Sequence, residues 1–374
     1  MKLRTENISI IGAGPAGLAV AGVLTNLGKD FSIYEKEKMV APMWHRHYDR
    51  LCLHTVKEYS ALPLFPIPKK FPTYLTRKNV LEYLESYKEK FNIQPKFETD
   101  IVNIQSKDDK WIIESNQEIF SSNNIVICTG INRIPNYPNW HGLNKENENI
   151  IHSRSYKNAE PFLGTKTLVV GMGNTGAEIS LDLANNDVDT NLSVRSIVNI
   201  APRDFLGRPS QKSAKILDKL PFGMGDSIGA FLKNIIVGDL SKYGLETSKV
   251  SVVQQLKETG KTAVLDLGTV AKIKQGKIKI KKGIKSIDGT SVNFTDGTII
   301  HYDKIILATG YKAKIEDIFP GIETQFNADG IPSNWQGFGN FKSVYFCGFD
   351  NYKLGGILGT IYNDSQKIAN NIKI

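Results

Sequence analysis

The chain has 374 residues, 41% of them hydrophobic and 23% charged, with a formal net charge of +9. That length predicts about two domains, and the composition is that of an ordinary globular protein rather than a disordered or disulfide-stapled one. Cys52, Cys128 and Cys347 are too few and too widely spaced for a zinc site or a CxxC redox pair, so three unpaired thiols in a reducing, cytoplasmic setting are expected and a metal is not.

In chain order, an apolar strand over residues 8–11 runs directly into Gly12-Ala13-Gly14-Pro15-Ala16-Gly17, a GxGxxG fingerprint that opens an amphipathic helix over 18–27. No signal peptide is expected ahead of that strand. The first glycine permits a tight turn, the second lets a pyrophosphate approach the backbone, and the third lets helix and strand pack closely. The free N–H groups of the helix N-terminus then face the phosphates. A strand over 31–34 ends at Glu35, 23 positions past Gly12, with Lys36 beside it. A proline-rich irregular stretch over 42–72 follows, then a helix over 79–91. Segments 96–104, 110–114 and 117–120 predict a small antiparallel sheet. The run Ile125-Val-Ile-Cys-Thr129-Gly130 reads as a buried strand ending in a glycine turn.

A second fingerprint, Gly171-Met-Gly173-Asn174-Thr175-Gly176, follows a strand over 167–170 and opens a helix over 177–184. The next strand, over 192–194, ends at Arg195, 24 positions past Gly171. Lysines alternate with apolar residues over 272–282. This is read as a half-buried strand or hairpin with a solvated basic face, because no aromatic residues interleave it for nucleic-acid stacking. Ile305-Ile-Leu-Ala-Thr309-Gly310 echoes the first Thr-Gly turn; a strand over 344–348 and a closing helix over 356–372 return the chain to the first domain. The expected architecture is α/β, with two Rossmann-like dinucleotide-binding domains in three layers. The first is discontinuous, 1–160 and 311–374, and the second, 161–310, is inserted into it. The most apolar run, 228–237, is short and broken by Lys233 and Asn234, so no membrane span is expected.

Equivalent strand ends carry opposite charges. A carboxylate ~4 Å from a 2′-phosphate would cost roughly 4 kcal/mol at an effective dielectric of about 20, whereas an arginine gains a charge-assisted contact. Glu35 therefore suits the ribose of FAD (or NAD), and Arg195 suits the 2′-phosphate of NADPH; a solvated strand-end arginine is the alternative.

The stretch Val169-Val-Gly-Met-Gly-Asn-Thr-Gly-Ala-Glu178, preceded by His152-Ser-Arg-Ser-Tyr156, resembles class B flavin monooxygenases. Tyr48-Asp-Arg-Leu-Cys-Leu-His54, Phe71-Pro-Thr-Tyr-Leu-Thr76, the stretch 264–274 and Leu307-Ala-Thr-Gly-Tyr311 look like the plant YUCCA-type group, and the similarity covers nearly the whole chain. The family's Phe-x-Gly before the histidine is missing: Glu146 and Glu148 stand there, and Trp140-His-Gly142 comes too early.

The resemblance implies FAD and NADPH as cofactors and a flavin C4a-hydroperoxide sheltered by retained NADP⁺, with the protein supplying orientation and exclusion of water. For the YUCCA type it implies oxidative decarboxylation of an aromatic 2-oxo acid such as indole-3-pyruvate. Open alternatives are oxygenation of nitrogen or sulfur in amines, thioethers or indole, N-hydroxylation of amino acids or polyamines, a flavin reductase or quinone oxidoreductase, and a noncatalytic redox sensor. Partners are molecular oxygen and a small organic substrate, without nucleic acid or membrane; a homodimer is compatible. Trp44 is a candidate to cover an isoalloxazine or NADP⁺ face, and Arg50 and His54 match family positions near the flavin, against the alternatives of a core tryptophan, a surface arginine and a core histidine. Lys57 is the one candidate catalytic side chain, set against a solvated lysine. Thr129, Gly130, Thr309 and Gly310 line the interdomain turns, and Gly348 is expected to bring backbone N–H toward the flavin. His152 and Tyr156 are expected to order the linker.

Overall fold

The computed structural model describes residues 3–205, 207–212, 235–252, 254–255, 262–350 and 356–373, in which the chain alternates between two α/β units. One comprises Met1–Arg46, Thr55–Ile134 and Tyr311–Ile374, the other His47–His54 and Pro135–Gly310. The second unit thus begins before residue 161, and it includes a piece of the early irregular stretch. The reason lies in a short edge strand: Ile150–His152 pairs in parallel with Lys304–Leu307, Ile150 opposite Ile305, which commits the residues before 161 to the second sheet.

In the first unit, Thr5–Ile11 is flanked in parallel by Ser32–Tyr34 and Ile119–Ile127. Val344–Phe346 adds to the far side of Ile119–Ile127. The two segments expected at 117–120 and 125–130 form one strand. Its first part pairs antiparallel with Lys110–Ser115 and its later part parallel with Thr5–Ile11. The polar pair Asn123-Asn124 looks like a break, but the buried Asn124 amide donates to the Asn7 carbonyl at 3.1 Å. A strand can carry such a group when its amide is satisfied. Tyr34 stacks on Phe120, ring centroids 4.9 Å apart, within the core that joins this sheet to its antiparallel extension. The helix Arg77–Lys90 starts at a capping box between Thr76 and Asn79, and Gly356–Asn371 closes the unit.

The second unit has a fully parallel five-stranded sheet in the order Ile278–Lys281, Asp189–Ser193, Lys166–Val170, Lys304–Leu307, Ile150–His152. An antiparallel sheet of Ile284–Asp288, Ser291–Phe294 and Ile299–His301 follows the edge strand. The lysine-rich stretch is not one hairpin. Thr269–Lys274 is helical, because Thr269, Val270 and Ile273 fall on one buried face, and only Ile278–Lys281 is extended. Its lysines are solvated and partly paired, Lys277 with Asp187 and Lys279 with Asp189, each at 2.9 Å. Most of the apolar run 228–237 lies outside the described residues, among which no helix is long and apolar enough to cross a membrane.

Candidate functional site

The two fingerprints fold into the same turn. Gly12 and Gly171 take φ of +104° and +99°, a region closed to most side chains. A Cβ at either would stand 2.7 Å from a carbonyl oxygen of the neighbouring strand end, Cys128 or Ala308. At Gly17 and Gly176 a Cβ would meet the Gly12 or Gly171 carbonyl oxygen at 1.9 or 1.8 Å, so any side chain there drives the helix off its strand. Gly14 and Gly173 differ. They cap the helices Pro15–Asn26 and Asn174–Asn185, and among the described residues nothing lies within 4 Å of where their Cβ would be. Space kept open beside a helix N-terminus, whose first N–H groups have no intrahelical acceptor, fits a dinucleotide pyrophosphate. Pro15 at the first helical position gives up no needed donor. Ala16, one residue further, packs under Gly348, whose φ is +85° and where a Cβ would come within 2.9 Å of the Ala16 Cβ.

Around the first turn, Glu35 is 5% exposed. Its carboxylate accepts from the backbone N–H of Ala13 at 2.9 Å and of Glu37 at 3.0 Å. Burial raises its pKa, and the two N–H groups work against that rise. Each oxygen keeps lone-pair capacity for a hydroxyl. Lys36 is exposed, and Trp44 is half-buried on the short helix Pro42–Arg46. The Thr129 hydroxyl is buried without a partner among the described residues, and the Thr129 backbone nitrogen lies 3.4 Å from the Gly12 Cβ position. Gly130 turns the chain at φ +76°. Lys57 opens a 3₁₀ turn, and its ammonium donates to the Lys69 carbonyl at 3.0 Å and to that of Phe71 at 2.5 Å.

Around the second turn, Arg195 is exposed and has no hydrogen-bond or ion-pair partner among the described residues. It leans on Gly283, where a Cβ would stand 3.2 Å from its own. The Asn174 side chain accepts from the Leu265 N–H at 2.8 Å, and Thr175 follows it in the first helical turn. The Thr309 hydroxyl donates to Asn136 at 2.6 Å. The Gly310 carbonyl accepts from His152 Nε2 at 3.0 Å, and His152 Nδ1 accepts from the Arg154 N–H at 3.1 Å. Those two contacts define the neutral Nε2–H tautomer, and burial lowers the His152 pKa accordingly.

Arg50 and His54 belong to the second unit. His54 Nε2 meets Glu178 Oε1 at 2.8 Å, and Arg50 stands 3.8 Å from Asp182. In the sequence Glu178 only ends the family-like stretch that begins at Val169 and Asp182 carries no motif, although their i,i+4 spacing matches that of Arg50 and His54. Tyr156 completes the group by donating to Asp182 at 2.7 Å. The cysteines form no disulfide. Cys128 and Cys347 follow paired strand positions, Ile127 and Phe346, and a hydrogen bond to Cys128 together with burial pushes the Cys347 thiol well up, away from a reactive thiolate.

Known proteins fit this geometry. Residues 5–325 match the Flavin-binding monooxygenase-like (FMO-like) family. Over 372 residues the chain is 37% identical to "Probable indole-3-pyruvate monooxygenase YUCCA4" of Arabidopsis thaliana, covering 97% of this chain and 89% of that protein. It is 33% identical to "Indole-3-pyruvate monooxygenase YUCCA4" of Oryza sativa subsp. japonica, covering 96% and 86%. Its fold is similar to that of a flavin-containing monooxygenase from Stenotrophomonas maltophilia, with TM-score 0.75, 16% identity, and 99% and 98% of the two chains covered. With paired Rossmann-like units, twin glycine turns and relatives over nearly its whole length, the chain belongs to the flavin-binding monooxygenase-like family and is a flavin monooxygenase of YUCCA type.

Proposed function

We propose that the chain uses FAD and NADPH to convert an aromatic 2-oxo acid, such as indole-3-pyruvate, into the carboxylic acid one carbon shorter. The balance is 2-oxo acid, O₂, NADPH and H⁺ to carboxylic acid, CO₂, NADP⁺ and H₂O. The cofactor assignment is carried by one observation: matching turns lead to a buried carboxylate at Glu35 and to an exposed guanidinium at Arg195. The printed names of the plant relatives support the substrate class.

When bound, the flavin supplies the two-electron transfer and the activation of oxygen. The protein binds and orients. Gly14 and the N-terminus at Pro15–Ala16 take the FAD pyrophosphate, Glu35 the ribose hydroxyls, and Thr129 offers a hydroxyl that has no partner among the described residues. Gly173 and the N–H groups of Asn174 to Gly176 take the NADPH pyrophosphate, and Arg195 the 2′-phosphate. Lys57 ties the loop at residues 69–71, a positioning rather than a proton-carrying task.

The test is product analysis with ¹⁸O₂ and NADPH against indole-3-pyruvate, indole, trimethylamine and a thioether. One labelled oxygen in indole-3-acetate is the expected result. Label in an N- or S-oxide instead would move the substrate class, and NADPH consumption with no labelled organic product would make the protein a reductase.

A further inference from the structure

Two acids and two donors face each other at matched spacing in the second unit. Glu178 and Asp182 are four residues apart on the helix Asn174–Asn185, and Arg50 and His54 four apart on the segment His47–His54. His54 Nε2 meets Glu178 Oε1 at 2.8 Å; Arg50 Nη1 stands 3.8 Å from Asp182 Oδ1 and 3.5 Å from the Glu178 carbonyl. Asp182 also accepts from Tyr156, so it keeps a partner if Arg50 is lost. Glu178 is less secure. Its side chain is 3% exposed, its Oε2 is buried with no partner, and His54 is its one hydrogen-bond donor among the described residues.

A buried carboxylate stripped of its partner is costly, and its charge then acts on everything nearby. Glu178 lies one turn beyond Asn174, in the helix whose N-terminus forms the open pyrophosphate cradle at Gly173. A bare negative charge there opposes the positive end of the helix dipole that attracts phosphate.

We propose that His47–His54 is a charge-masking strap. His54, acting through Glu178, and Arg50, acting through Asp182, are positioning residues that keep the N-terminus of this helix attractive to the phosphates of the second dinucleotide. The inference rests on reading the Gly171–Gly176 turn as the NADPH site. By linkage, the bound dinucleotide also holds the strap in place.

The experiment is calorimetric titration of FAD-loaded enzyme with NADP⁺, with hydrogen exchange over residues 47–54. H54A is expected to weaken NADP⁺ binding about tenfold, the size of a broken buried pair felt at a neighbouring site. H54A/E178Q should return to within about threefold of wild type, because the exposed charge is gone. H54Q, whose amide can supply an N–H to Glu178, should stay near wild type, and NADP⁺ should slow exchange in the strap of wild type. If H54A does not fold, E178Q alone decides: binding within about threefold of wild type supports the strap, and weaker binding overturns it. H54A binding as tightly as wild type, or E178Q failing to rescue it, also overturns the strap. Wild-type enzyme that binds no NADP⁺ overturns the underlying reading of the turn instead.

Discussion

The turns at Gly12–Gly17 and Gly171–Gly176 are nearly superimposable in their constraints and opposite in what surrounds them. The first and third glycines face carbonyl oxygens at the same distances, 2.7 Å and 1.9 or 1.8 Å, and the middle ones face open space. Past that frame, one turn is served by a buried acid already holding two backbone N–H groups, the other by an exposed arginine with no hydrogen-bond or ion-pair partner among the described residues. On the proposed reading, the backbone decides that a dinucleotide binds, and one side chain per unit decides which. The acid is bonded to two backbone N–H groups of the first unit, whereas the arginine lies exposed on the second.

The largest effects should come from the third glycines. Alanine at Gly17 or Gly176 puts a methyl inside a carbonyl oxygen, and the strain exceeds ordinary overpacking of about 3 kcal/mol. G17A should be purified colourless, without FAD. G176A should remain yellow and lose NADPH turnover by more than about 100-fold, in line with strain above about 3 kcal/mol. If both variants lose FAD alike, the units are not separable in the way the comparison holds.

Next come the two charges. R195A should raise KM for NADPH about 30-fold and leave NADH unchanged, matching the loss of roughly 2 kcal/mol for a charge-assisted contact. Equal change with both nucleotides would remove Arg195 from the 2′-phosphate. E35Q should weaken FAD and lower thermal stability together, since the same carboxylate serves Ala13 and Glu37. The asymmetry is the point: the arginine variant should melt as wild type.

Smaller still are the middle glycines. G14A and G173A meet no atom of the described residues within 4 Å, and their backbone is extended, so apo stability should change by about 1 kcal/mol or less. Affinity for the matching nucleotide should nevertheless fall several-fold, because the methyl occupies the approach to the backbone. Unchanged affinity in both variants would mean that the open space is not where phosphate lies.

How far the sequence reached follows from the same contrast. The glycine turns, their strands and the residues ending the next strands were legible because a tight turn, a close approach and a helix start each demand a residue type at a fixed place. The start of the second unit was not, since three residues at Ile150–His152 become a strand only through their partner Lys304–Leu307. Nor was the strap: Arg50 and His54 find Glu178 and Asp182 across more than a hundred residues, and only their equal spacing hinted at it. The lysine-rich segment misled because alternation and a short amphipathic helix share most of their apolar positions over six residues. The resemblance places Lys57 near the flavin but says nothing of its bonds to Lys69 and Phe71, which depend on a loop closure that no local pattern records.

The finest difference separates the two Thr-Gly turns. The Gly310 turn is pinned by His152, and Thr309 is bonded to Asn136, while the Thr129 hydroxyl in the first turn has no partner among the described residues. The pin requires a neutral imidazole, since its Nδ1 accepts from Arg154, and burial lowers the His152 pKa below its ordinary 6.5. In the unfolded chain the histidine binds a proton more readily than in the fold. The stabilisation is therefore full above about pH 6.5 and is lost as pH falls through the lowered folded value. Thermal melts of wild type and H152Q between about pH 5 and 8 should diverge most at neutral pH and converge on acidification. A constant gap across that range would show that protonation of His152 is not what loosens the second turn.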